Sequence, residues 1–121
     1  MELNLNNTAI IYNPEIEGAF EFSNRLNKKF ENSKTYTLDN MPQNPDFVIV
    51  VGGDGTLLKC ARKYCENDTP IFGFNMGRLG FLAQALPDET DNVVQKIKTG
   101  DFRIEKRIML NCPTTGAVAL N

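Results

Sequence analysis

No histidine occurs anywhere in the 121 residues. A Ser-His-Asp triad, a Cys-His pair and a His-ligated zinc site are therefore excluded within this chain, and acid–base work falls to carboxylates, lysine, tyrosine or cysteine. Cysteine is scarce as well. Cys60, Cys65 and Cys112 are odd in number and lack CxxC spacing, a pattern that fits a reducing compartment better than a disulfide framework. Neither sign of charge dominates: Lys+Arg 13 against Asp+Glu 15 leaves −2, which supplies no electrostatic footprint for nucleic acid. Long apolar runs are missing too. Residues 1–7 have neither a basic n-region nor an apolar h-region, and no later run approaches a membrane span. The expectation is a cytoplasmic protein with neither nucleic acid nor membrane as partner.

What is present is an ordinary globular composition, 41% hydrophobic and 23% charged, in a length sufficient for one small domain with a real core. Its centre is residues 47–59, FVIVVGGDGTLLK. The β-branched and aromatic run at 47–51 is what a strand shows when a parallel sheet buries both its faces. Gly52, Gly53 and Gly55 then permit positive φ angles and close approach to the backbone, while Thr56 is placed to cap a helix carrying Leu57, Leu58, Ala61, Tyr64 and Cys65. Strand, glycine turn and helix N-terminus together make a place for a ligand. The turn lacks the lysine and hydroxyl residue of a P-loop, and the third glycine position of GxGxxG is Leu58. A carboxylate here would repel a bare phosphate, so Asp54 faces a hydroxyl, a metal ion or both, or else closes an Asx turn.

Around this centre, residues 8–12 form a β-rich run, and Asn13-Pro14 reads as an N-cap and first helical residue. The helix carries Ile16, Ala19, Phe20, Ser23, Leu26, Asn27 and Phe30 along one side. Residues 34–38 alternate as a half-exposed edge strand. The loop at 39–46 is short for a parallel crossover, which usually needs about a dozen residues or a helix, so the placement of the second strand stays open. Residues 71–74 form another strand that runs into a second glycine turn, GFNMGRLGF at 73–81. On parallel strands both glycine turns fall on the carboxyl edge, as two walls of one site. Asn75 suits a left-handed turn, Arg78 an anion, and Leu79, Phe81 and Leu82 a core. A helix at 87–99 ends at Gly100, followed by a strand at 102–110, a turn at 111–115 and a further strand from Gly116.

Taken together, GGDGTLL at 52–58, PIFGFNMGRLGFL at 70–82, RIEKRIML at 103–110 and ALN at 119–121 resemble the NAD kinase family, the ATP- or polyphosphate-dependent NAD kinases. A GGDG turn is shared with diacylglycerol-kinase-like lipid kinases and phosphofructokinases, whereas the second turn is similar to NAD kinases. The resemblance implies an α/β, Rossmann-like three-layer domain with a mainly parallel sheet over residues 1–102. Residues 103–121 would then open the crossing into a β-rich C-terminal domain that is absent. It also implies phosphoryl transfer from ATP or polyphosphate to the 2′-hydroxyl of the adenosine ribose of NAD, with Mg²⁺ or another divalent cation, in a homodimer or homotetramer. Asp54 is then the residue that contacts the ribose and activates its hydroxyl. Gly55 and Leu58 shape the nucleotide site, Phe81 packs near the adenine and Asn121 binds the same ligand. Gly53, Thr56, Asn75 and Arg78, in the same two turns, complete the candidate contacts, and no side chain is assigned as a metal ligand. Residues 1–121 alone are expected to be inactive and to expose an apolar face. The alternatives are a diacylglycerol-kinase-like lipid kinase domain and a non-catalytic nucleotide-binding module.

Overall fold

The structure is a computed structural model that describes residues 3–77, 85–109 and 112–121. Strand β1 (Thr8–Tyr12) is buried along its whole length, as its apolar run predicts. The helix after it starts later than Asn13-Pro14 suggests, and α1 spans Ala19–Asn27. Asn13 closes an Asx turn instead, its Oδ1 accepting the Glu15 N–H at 3.0 Å, and Gly18 precedes the helix with φ +83°. That left-handed residue cannot continue a helical repeat, so Pro14 belongs to a turn.

Strand β2 (Ser33–Thr37) is the half-exposed edge strand of the sheet. Residues 38–46 then pass β1 to reach β3 (Phe47–Gly52) without an α-helix. Extended, they reach about 30 Å. That suffices to return along a five-residue strand, about 17 Å, and to cross one neighbour, about 10 Å. A 3-10 turn at Leu38–Asn40 starts the segment, Leu38 and Met41 pack against the core, and the Pro42 carbonyl accepts the Tyr64 hydroxyl at 2.6 Å.

Helix α2 (Asp54–Tyr64), strand β4 (Ile71–Asn75), helix α3 (Thr90–Thr99) and strands β5 (Phe102–Met109) and β6 (Cys112–Leu120) complete the chain. Helix α3 is entered through a 3-10 turn at Pro87–Glu89, where Glu89 Oε1 accepts the Leu86 N–H at 2.9 Å, and it stops at Gly100 with φ +81°. The turn expected over residues 111–115 is strand from Cys112 onward, in an antiparallel hairpin that pairs Met109 with Cys112. Thr114 and Thr115 are β-branched and take strand geometry once a partner strand is alongside.

The sheet order is β2-β1-β3-β4-β6-β5, parallel from β2 to β6 with β5 antiparallel at the far edge. The continuous apolar runs serve both faces. Ile10, Tyr12, Ile49, Val51, Phe72 and Phe74 pack with α1 and α3, whereas Ala9, Ile11, Val48, Val50 and Ile71 pack with α2. The result is the expected three-layer, mainly parallel α/β architecture. Among the described residues, no helix is long and apolar enough to cross a membrane. Among the described residues, Phe20 is the large hydrophobic residue left exposed. Cys60 is free and buried, but Cys65 is disulfide-bonded, against the expectation of unpaired thiols. Strand β6 runs beside the turn at Cys65–Asn67, a proximity that spacing along the chain does not reveal.

Candidate functional site

The connectivity of the sheet decides where a ligand can enter. Strand β1 is followed by α1 on one face and its neighbour β3 by α2 on the other. The chain thus leaves their carboxyl ends in opposite directions and opens a crevice at this switch point. The two walls expected from sequence are the turns after β3 and β4. Residues 13–18, after β1, form a third that the motif reading missed, although Asn13, Pro14 and Gly18 directly follow the first strand.

Asp54 is the first residue of α2, and the Gly53 carbonyl accepts the first helical bond, from the Leu57 N–H at 3.0 Å. Gly53 is extended, with φ −117°, and among the described glycines only Gly18 and Gly100 take positive φ, so residues 52–55 turn without the left-handed geometry expected of them. Thr56 lies inside the helix and does not cap it. Buried at 5% exposure, its side chain occupies the space over Gly52. A Cβ on Gly52 would lie 2.6 Å from Thr56 Cβ and 2.8 Å from Cγ2, with Oγ1 closer still. Nothing lies within 4 Å of where a Cβ would stand on Gly53 or Gly55, so these two leave the backbone open to a visiting molecule.

The first N–H groups of α2 face this edge without helical acceptors, at the positive end of the helix dipole, which also favours the Asp54 carboxylate. Asp54 is half-buried and has an interaction partner within the chain. Leu58, one turn on, is half-buried against the core on the α2 side.

Asn75 pairs in register with Gly52, and the Met76 N–H donates to the Gly52 carbonyl at 3.0 Å, so the second turn is stitched to the first. Asn75 is not left-handed: its Oδ1 accepts the Gly77 N–H at 2.9 Å in an Asx turn, leaving it chiefly a donor toward any ligand. Met76 Cε lies 3.4 Å from where a Gly18 Cβ would stand, which brings the third wall against the second. Arg78 and Phe81 lie outside the described residues.

Asn121 is carried to a different place. Strand β6 pairs with the start of β4, Ile71 opposite Ala117, but at the end of β4 that position belongs to Ala85, whose N–H and carbonyl bond Gly73 and Asn75. Asn121 lies instead against the start of β5. Its Nδ2 donates to Asp101 Oδ1 at 3.1 Å, its Oδ1 accepts from Arg103 at 3.4 Å, and Lys96 Nζ donates to its carbonyl. The structure therefore brings together Gly53, Asp54, Gly55, Thr56 and Asn75, with Leu58 one turn behind.

Two other acid–base candidates are removed by burial. The Cys60 thiol is pushed up to about 12 by desolvation, against an opposing pull from Lys59. The Tyr64 hydroxyl is raised by burial first and by Cys60 and Tyr36 second, and it donates to Pro42. No group of three or more His, Cys, Asp or Glu able to hold a metal ion occurs among the described residues. The chemistry available at the crevice is a carboxylate beside an open backbone and helix N–H donors, a combination suited to a polar, phosphate-bearing ligand with a hydroxyl at Asp54.

Residues 7–102 match the family described as ATP-NAD kinase N-terminal domain. The NAD kinase of Clostridium perfringens is 50% identical over 72 residues, 59% of this chain and 26% of that protein. The NAD kinase of Campylobacter jejuni is 46% identical over 76 residues, 63% of this chain and 27% of that protein. The chain thus spans about a quarter of the length of these curated relatives. Among solved structures, an NAD kinase from Archaeoglobus fulgidus in complex with ATP matches with a TM-score of 0.58 at 28% identity, over 83% of this chain and 40% of that one. Yeast NADH kinase complexed with NADH shares the fold, with a TM-score of 0.62 at 18% identity over 95% of this chain and 44% of that one. The family match takes in well over half of the chain and includes all three walls of the crevice, and the chain belongs to the NAD kinase family through its ATP-NAD kinase N-terminal domain.

Proposed function

We propose that the full-length protein is an NAD kinase that transfers a phosphoryl group from ATP or polyphosphate to the 2′-hydroxyl of the adenosine ribose of NAD. The observation that carries this reading is the position of Asp54 in a chain of this family: first residue of α2, between two glycines whose backbone is open, at the switch point of the sheet. The attacking hydroxyl must lose its proton as it bonds to phosphorus, and Asp54 is the acceptor. A general base of this kind contributes roughly 10²–10⁴-fold, the rest coming from alignment and from charge around the phosphates. The open glycines let the ribose approach, the α2 N–H donors serve phosphate oxygens, and Asn75 donates from the neighbouring turn.

Arg78 as a phosphate contact, Phe81 as an adenine contact and Asn121 as a ligand contact belong to the same proposal. In the chain as described, Asn121 would first have to leave Asp101 and Arg103. Mg²⁺ or another divalent cation would enter with the phosphates of the donor. A homo-oligomer in the cytoplasm, a first domain over residues 1–102, residues 103–121 as the start of a second, and little or no turnover by residues 1–121 alone complete the reading. The test is Asp54→Asn in the full-length protein. NAD phosphorylation is expected to fall by roughly 10²–10⁴-fold while calorimetry still records NAD binding. Turnover near that of the parent would remove Asp54 from the mechanism.

A further inference from the structure

Folding alone does not account for Phe20. It is 52% exposed, whereas Phe22, Phe30, Phe47, Phe72, Phe74 and Phe102 are all buried, and a ring left in water forgoes the free energy that burial supplies. Nor is it a loose surface side chain. It stands in the first turn of α1 with its ring centroid 5.8 Å from that of Tyr12, the two planes tilted by 55°. Tyr12 ends β1 and pairs in register with Val51, one residue before Gly52. Val51 also accepts the Asn13 N–H, and Gly18 turns the chain back toward Met76. The aromatic pair thus borders the crevice on the α1 side, while Asp54 and the α2 N–H donors border it on the other.

We propose that Phe20, braced by Tyr12, is a stacking platform for the planar ring of a nucleotide that enters the crevice. The polar wall suits the ribose and phosphates and, among its described residues, offers no aromatic face to the planar ring of a nucleotide. A flat, exposed, pre-positioned ring accepts such a group with little ordering. The proposal rests on the kinase reading only in taking NAD and ATP as the two possible sources of the ring.

In the full-length protein, Phe20→Ala, Phe20→Tyr and Phe20→Trp are titrated by calorimetry with NAD, with ATP and with inorganic triphosphate, which carries phosphates and no ring. Phe20→Ala is expected to weaken NAD, ATP or both by about tenfold, and the one that loses affinity identifies the source of the ring. Tyr and Trp retain a π face and are expected to keep binding near that of the parent. Triphosphate binding should not change in any variant, and the melting temperature of Phe20→Ala should fall by no more than a few degrees, the cost of the Tyr12 contact to a half-exposed ring. The platform is overturned by parental affinity for both nucleotides in Phe20→Ala, by an equal loss for triphosphate, by the same loss in the Tyr and Trp variants, or by a parent that binds neither nucleotide. A ring effect in a protein that fails to phosphorylate NAD sinks the kinase reading and leaves the platform. Phosphorylation of NAD with no ring effect does the reverse.

Discussion

At Gly52 the difficulty for any other residue is space, not backbone angle. A methyl group there would meet the Thr56 side chain at 2.6 and 2.8 Å, and Thr56 is β-branched and buried, with no flexible tip to move aside. Gly52→Ala should therefore destabilise the fold by about 1–3 kcal/mol, as overpacking does, and lower the urea midpoint accordingly. Gly53→Ala should behave differently. Its φ of −117° is open to alanine and the space above it is empty, so no clash opposes the methyl and stability should stay within about 1 kcal/mol of the parent, the gain from a stiffer unfolded chain offsetting alanine's poorer fit at a helix N-cap, while nucleotide affinity falls because the methyl occupies the approach path. Equal stability of Gly52→Ala and its parent would show that Thr56 does not hold the turn.

At the scale of elements, what was legible from sequence was whatever a local pattern determines. The apolar runs of β1, β3 and β4 announced strands buried on both faces, and a proline start with a glycine stop announced α3. Asp54, with a helix directly after it, was legible because strand, glycines and helix are contiguous in the chain. The start of α1 was not, because Asn-Pro closes an Asx turn as readily as it caps a helix, and Gly18 decided between them. The third wall and the displacement of Asn121 depend on which strands are neighbours, and no short window of sequence carries that. The loop at residues 39–46 is the clearest case: its length reads as too short for a crossover, yet the order β2-β1-β3 asks it to pass only a single strand. Its hold on the sheet depends partly on the bond from Tyr64 to Pro42. Tyr64→Phe should cost about 1 kcal/mol and speed amide hydrogen exchange within residues 38–46 ahead of the rest of the sheet. Uniform acceleration across the sheet, or none, would mean that this bond does not anchor the segment.

Over the whole molecule, the two faces of the sheet are unequal. The face with α1 and α3 carries most of the aromatic core, whereas the α2 face holds Cys60 and Tyr64, two ionisable groups whose titration burial shifts. They lie one helical turn apart on α2 and point to the same side. Both are kept protonated by burial: the thiol moves from an ordinary 9.0 up to about 12, and the phenol rises above its ordinary 10.0. Where the unfolded chain has already lost these protons, the folded chain still holds them. Stability from this source is therefore complete below about pH 9 and falls as pH rises, first through Cys60 and then, from about pH 10, through Tyr64 as well. Urea midpoints measured from pH 7 to pH 11 should accordingly be level in this respect at first and decline from about pH 9. Cys60→Ala changes packing as well as charge, so the informative quantity is the slope against pH and not the midpoint at any one value. In that variant the decline should begin roughly one pH unit later, because what remains is the Tyr64 contribution, still raised by burial and by Tyr36 though no longer by Cys60. If the parent and Cys60→Ala fall in parallel from about pH 9, the thiol is not what couples this fold to alkali.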